Sequence, residues 1–174
     1  DLQAGDSILD CTLGFACEAI LAAILVGETG RVVGLESIPE LAVVTRAGLR
    51  GRVMTQKKIE EPMRRIEVVN SNYGDYLRTL APGEFDVIYF DPFFDTPIDG
   101  SQINIDPLAA FGDPTSLAPS AVLLALEKTA KRVVVKHPRG YELASELTER
   151  SSRIVSGSNG TVAYSVFESE PKLT

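Results

Sequence analysis

Short runs of apolar and β-branched residues alternate along the chain with longer stretches whose apolar positions recur every three or four residues. The first pattern predicts strands over 7–12, 31–36, 66–70, 85–90 and 132–136. The second predicts helices over 18–26, 39–51, 76–80, 116–131 and 141–150. Gly27 is a stop for the first helix, and Ser37 with Pro39 a start for the second. Near the carboxyl end the spacing changes. Two apolar runs, 152–156 and 161–167, flank Gly157-Ser158-Asn159-Gly160, and Asn-Gly between such runs predicts an antiparallel hairpin. The expectation is an α/β fold of five parallel strands with helices on both faces and one antiparallel edge pair. There are no repeats or low-complexity linkers, so 1–174 is read as a single domain.

Composition narrows the class. At 174 residues, 44% hydrophobic and 24% charged, the chain has ordinary material for one packed core. No apolar run is long enough for a membrane span. The opening Asp1-Leu2-Gln3-Ala4-Gly5-Asp6 carries no basic segment of the secretory kind and no initiator Met. We therefore expect a cytoplasmic protein with an upstream segment missing. A net charge of −7 argues against a surface that grips nucleic acid everywhere. One basic stretch stands out: Arg46, Arg50, Arg52, Lys57, Lys58, Arg64 and Arg65, against Glu60 and Glu61. It reads either as a solvated helix face or as a local phosphate-contacting patch. Two cysteines and one histidine provide neither a disulfide framework nor a zinc set, so no metal is expected. Cys11 and Cys17 sit in apolar surroundings and are expected as buried thiols.

The chemistry concentrates after the fourth strand, at Asp91-Pro92-Phe93-Phe94. Pro92 lacks a ladder donor and forces Asp91 into extended geometry, so the strand ends there. A carboxylate, a carbonyl and two aromatic rings then share the carboxyl edge of the sheet, where ligands of open α/β folds bind. Such a group suits an amino-bearing flat ring. The carboxylate and carbonyl accept two N–H groups while a phenyl ring fixes the plane by stacking. The plain alternative is an Asp-Pro turn with two core phenylalanines. Gly14 marks the turn after the first strand. Glu36 ends the second, roughly 20 residues on, and reads either as a solvated strand-end acid or as a carboxylate that bonds ribose hydroxyls, the role its position favours. Asn72 and Asp75 are both candidates for an adenine contact, and both residue types also cap helices. Lys136, ending the fifth strand, reads either as an exposed strand-end lysine or as a contact to phosphate or base. The irregular stretch 95–114 has the length of a binding loop.

These pieces, in this order, resemble the class I methyltransferase fold, which is Rossmann-like. Asp91-Pro92-aromatic is similar to the motif of enzymes acting on exocyclic amines. Leu9-Asp10-Cys11-Thr12-Leu13-Gly14-Phe15, Gly34-Leu35-Glu36-Ser37-Ile38-Pro39, Val87-Ile88-Tyr89-Phe90-Asp91-Pro92-Phe93-Phe94 and Val133-Val134-Val135-Lys136-His137-Pro138 resemble the ribosomal RNA small-subunit methyltransferase J family. That family methylates a guanine N2 in 16S rRNA. The resemblance implies S-adenosyl-L-methionine as cofactor and ribosomal RNA or the small subunit as partner. It implies a cofactor site from Asp10, Thr12, Gly14, Cys17, Glu18, Glu36, Ser37, Asn72, Tyr73 and Asp91. Catalysis would fall to Asp91, Pro92, Phe93 and Phe94, with Phe94 and Lys136 on the substrate. The chain departs from the family at Cys17-Glu18, where an Arg-Asp pair is usual, at Ala16, where a second glycine is, and at Asp95, where a proline is. A small-molecule methyltransferase and a catalytically silent nucleotide-binding domain are the rival readings.

Overall fold

The computed structural model describes residues 2–51, 56–92, 117–158 and 160–169. One seven-stranded sheet organises them, in the order β3-β2-β1-β4-β5-β7-β6. The strands are β1 (Ser7–Asp10), β2 (Arg31–Glu36), β3 (Glu67–Asn70), β4 (Phe85–Phe90), β5 (Thr129–Pro138), β6 (Arg153–Ser156) and β7 (Val162–Glu168). The first five run parallel, and β7 returns antiparallel to β5 with β6 beside it. The described helices are α1 (Cys17–Val26), α2 (Pro39–Gly51), α3 (Lys57–Arg65), α4 (Tyr73–Thr79), α5 (Pro119–Lys128) and α6 (Ser145–Thr148).

Strand alternation builds two cores. Ile8, Val32, Val87 and Tyr89 point to one face, against Ala19, Ala22, Ala23 and Val26 of α1, Leu49 of α2 and Met63 of α3. Leu9, Val33, Leu35, Ile88 and Phe90 point to the other, against Leu77 of α4 and Val122 and Ala125 of α5. The near-continuous apolar runs of β2 and β4 follow from burial on both faces. Gly34 in β2 is required: a Cβ there would lie 2.3 Å from Leu13 Cδ1, so the side chain of the first turn occupies that space.

Lysines staple β5 at both ends. At the start, Lys131 Nζ lies 2.7 Å from Asp6 Oδ1 and 3.2 Å from Asp86 Oδ1. Lys136, at the other end, is described below.

Several expected boundaries move. The helix placed over 116–131 stops at Lys128, because Thr129 is drawn into the sheet. Its hydroxyl is within hydrogen-bond distance of the carbonyls of Phe85, Asp86 and Arg132. The helix placed over 141–150 shrinks to a single turn with one buried apolar residue, Leu147, which is too little apolar face to hold a longer one. The helix placed at 76–80 begins at Tyr73, since Asn72 caps it by accepting the Gly74 N–H at 2.8 Å. Helix α3 is not among the predicted helices and figures in the sequence reading only as a possible basic helix face; Pro62 inside it interrupts the pattern. Part of the basic stretch is structural. Arg46 donates to the Val68 carbonyl, and Arg65 to the Ala23 and Gly27 carbonyls at the end of α1. Of the thiols, Cys11 is buried but Cys17 is exposed, because it opens α1 on the outer side of the turn. The stretch 95–114 lies outside the described residues. Among the described residues no helix is long and apolar enough to cross a membrane.

Candidate functional site

Thr12 ties the carboxyl ends of β1 and β4 together. Asp10 Oδ1 accepts the Thr12 N–H at 3.0 Å, and Thr12 Oγ1 accepts the Asp91 N–H at 2.7 Å. The chain then turns through Leu13 and Gly14 into Ala16, which adopts φ 65°. This left-handed conformation costs an alanine about 1–2 kcal/mol, a cost that glycine would avoid. Among the described residues no side chain caps α1 after it, so the helix presents its first N–H groups and positive dipole end at the sheet edge.

Glu36 gathers the neighbouring turns. Its carboxylate is buried and accepts the Gly14 N–H at 3.1 Å and the Ile38 N–H at 2.9 Å. The Thr45 hydroxyl donates to the Gly14 carbonyl, fixing the same turn from α2. Helix α2 makes its first backbone bond from Ala42 to the Ile38 carbonyl, so the cap position falls at Ile38 and not at the exposed Ser37. Asn70 joins β3 to this corner by donating to the Glu36 and Ser37 carbonyls at 2.8 and 3.2 Å. Next to it stand Asn72, whose side-chain oxygen is used on Gly74, and Tyr73, whose ring meets Phe90 edge-on at 5.6 Å. Asp75 pairs with Arg78 on the surface.

Lys136 is neither a solvated strand-end lysine nor a free cation. Its Nζ lies 2.7 Å from both Glu18 Oε1 and Asp91 Oδ2. Burial alone would lower its pKa, but the two carboxylates carry it above the usual lysine range. Asp91 is raised by burial and held back by the Lys136 ammonium. Fully buried Asp10 is pushed up to about 7, chiefly by desolvation, with Glu18 and Asp91 adding repulsion. Tyr89, paired with Asp10 across the ladder, has a buried hydroxyl with no hydrogen-bond partner among the described residues. From Asp10 and Glu18 an apolar groove of about 360 Å³ runs down the α1 side of the sheet past Tyr89 and Tyr164.

The fold thus brings Asp10, Thr12, Gly14, Glu18, Glu36, Asp91 and Lys136 to one edge, with Cys17 at the start of α1 and Ser37, Asn72 and Tyr73 at the adjoining corner. Pro92 directly follows Asp91. Phe93 and Phe94 lie outside the described residues. The sequence reading missed Asn70, whose only signal was a polar residue ending an apolar strand. It also missed the partnership of Glu18 with Lys136, which lie far apart in the chain. Among the described residues no cluster has the makings of a metal site.

An uncapped helix N-terminus, a buried acid ending β2 and acceptor oxygens around both suit a ligand carrying an amino acid and a ribose. The SAM_MT family of SAM-dependent methyltransferases matches residues 2–159. The chain is 37% identical over 135 residues to the uncharacterised protein YpiP of Bacillus subtilis, covering 78% of this chain and 52% of that one. It is 30% identical over 135 residues to ribosomal RNA small subunit methyltransferase J of Coxiella burnetii, covering 76% and 50%. It therefore spans about half the length of these curated relatives. In structure it is similar to the SAM-dependent methyltransferase NGO1261 of Neisseria gonorrhoeae, with a TM-score of 0.64 at 22% identity, covering 95% of this chain and 62% of that one. The Rossmann-like sheet and the family match agree: the chain belongs to the SAM-dependent methyltransferases and uses S-adenosyl-L-methionine as its cofactor.

Proposed function

We propose that the chain methylates an exocyclic base amine, guanine N2 of small-subunit ribosomal RNA. The observation that carries this is the Asp91 carboxylate, ion-paired with Lys136 beside the start of α1 and followed at once by Pro92, Phe93 and Phe94. Its relatives named ribosomal RNA small subunit methyltransferase J support the same acceptor.

The bound cofactor supplies a methyl group on a cationic sulfur. The N–H groups opening α1 and the Gly14 turn, with Asp10, Thr12, Cys17 and Glu18, hold its amino-acid end. Glu36, beside Ser37, accepts from the ribose hydroxyls, and Asn72 and Tyr73 border the adenine. Asp91 and the Pro92 carbonyl accept the two N–H groups of the base amine and turn its lone pair toward the methyl. Phe94, with Phe93, stacks on the extruded base. The rate enhancement comes from alignment, and no metal enters.

A small-molecule acceptor is the second reading. It is favoured by the net charge of −7 and by Arg46 and Arg65 being committed to backbone carbonyls. Small ribosomal subunits lacking the modification, incubated with the chain and labelled cofactor, separate the two. We expect label on a guanine N2 and affinity for RNA that falls steeply with salt. Asp91→Ala should lose at least about 100-fold in rate while cofactor binding persists at least in part. Undiminished activity in that variant would remove Asp91 from the site.

A further inference from the structure

The methyl-transfer edge carries an imbalance of charge. Three carboxylates converge there: Asp10 from β1, Glu18 from the first turn of α1 and Asp91 from the end of β4. Tyr89 of β4, Tyr164 of β7 and the buried thiol of Cys11, next to Asp10, are further titratable groups beside them among the described residues. Lys136 is the cation that faces this group among the described residues, and it divides itself equally, 2.7 Å to Glu18 and 2.7 Å to Asp91. Its side chain is only 20% exposed, and in the ladder it lies opposite Tyr164. An ammonium spent on two carboxylates at this depth has little reach toward a phosphate outside.

We propose that Lys136 is a positioning residue: its ammonium clamps Asp91 to the first turn of α1 and so presets the carboxylate that receives the substrate amine. The inference rests on the role of Asp91 given above. Asp91 closes β4, and its backbone N–H is already fixed by Thr12. The carboxylate can still swing about its own χ angles, and Lys136 removes that freedom with a charge-assisted bond. The clamp also decides protonation. An ionised Asp91 accepts an N–H from the amine; a protonated one offers a donor and repels it. Without the ammonium, Asp91 would face Glu18 and Asp10 uncompensated, and like charges in a half-buried site favour taking up a proton. The same contact joins α1 to β4, so the acceptor side and the helix that meets the cofactor move as one piece.

The experiment is a carboxyl-carbon NMR titration of Asp91 in cofactor-free protein, run on the wild type and on Lys136→Met, Lys136→Arg and Glu18→Gln. Alongside it, the pH dependence of kcat/KM is measured with small ribosomal subunits. In Lys136→Met the Asp91 titration and the acid limb of kcat/KM should both move up by at least about one pH unit, a tenfold rise in proton affinity. Lys136→Arg should restore most of the wild-type profile. Glu18→Gln removes a neighbouring anion from a half-exposed position, so its Asp91 titration should move down; this variant tests the clamp even where Lys136→Met fails to fold. An unmoved Asp91 titration in both Lys136→Met and Glu18→Gln overturns the clamp. So does a Lys136→Met variant that loses RNA affinity and salt slope while Asp91 titrates normally, which would make Lys136 a phosphate contact. A shifted titration with an unshifted rate profile leaves the clamp standing and defeats the role assigned to Asp91.

Discussion

Replacing Gly34 with alanine puts a methyl group where Leu13 already lies. The new Cβ would stand 2.3 Å from Leu13 Cδ1, 2.8 Å from Cδ2 and 2.9 Å from Cγ. Carbon atoms rest at about 3.5–4.0 Å, so the Leu13 side chain must withdraw by roughly 1.2 Å or more. It has little freedom to do so. Leu13 is 3% exposed, its N–H is bonded to the Leu35 carbonyl at 2.9 Å, and the next N–H is bonded to Glu36. Overpacking of this kind costs about 1–3 kcal/mol. With a urea dependence of about 2 kcal/mol per molar, Gly34→Ala should lower the unfolding midpoint by roughly 0.5–1.5 M. Cofactor affinity should fall too, because the displaced residue adjoins Gly14. The partner variant Leu13→Ala opens a cavity and should cost about 2–5 kcal/mol alone. In the double variant the new methyl fills part of that cavity, so the two costs should fall short of their sum by at least about 1 kcal/mol. Strictly additive costs in urea titrations, or a midpoint unchanged by Gly34→Ala, would refute the close approach.

Two further outcomes follow from the buried polar groups. Asp10 is pushed up to about 7 in the folded chain from the ordinary carboxylate value of 3.8, so the folded state holds the extra proton between these values. Its contribution to stability is then present at acid pH and lost as pH rises from about 4 to 7, with a slope of up to about 1.4 kcal/mol per pH unit. Asp10→Asn keeps an acceptor for the Thr12 N–H and should flatten that slope in denaturation measured across pH; a slope equal to the wild type would show that other groups produce it. Tyr89→Phe removes a buried hydroxyl without a partner and should raise stability by about 1 kcal/mol, where a loss of similar size would mean that the hydroxyl is bonded in solution.

The sheet was legible because its strands are marked twice, by apolar runs and by what ends them. Glu36 and Asp91 each close a strand at the edge where the turns converge, and the Asn-Gly pair announced the antiparallel return. Helix ends were harder. Thr129 leaves α5 for reasons that lie in the carbonyls of β4, more than 40 residues away. Cys17 reads as apolar by its neighbours but sits on the outside of its turn. The same limit governs the site. Glu36 could be named as a candidate from its position along the chain, and Asp10 only through the resemblance of its motif. Lys136 is 118 residues from Glu18, and no spacing rule joins them. Pairing across a sheet is a property of strand order, which the linear pattern constrains without stating.

Lys131 and Lys136 give the fifth strand a reading frame. Each bridges two acids, at opposite ends of a single β-strand. A slip of one residue would carry both ammonium groups about 3.3 Å along the strand, stranding Asp6, Asp86, Glu18 and Asp91 together. Misaligned pairings during assembly of the sheet are thereby penalised at two separate points, so accurate placement of the candidate site is secured partly by ions at the far end of the strand.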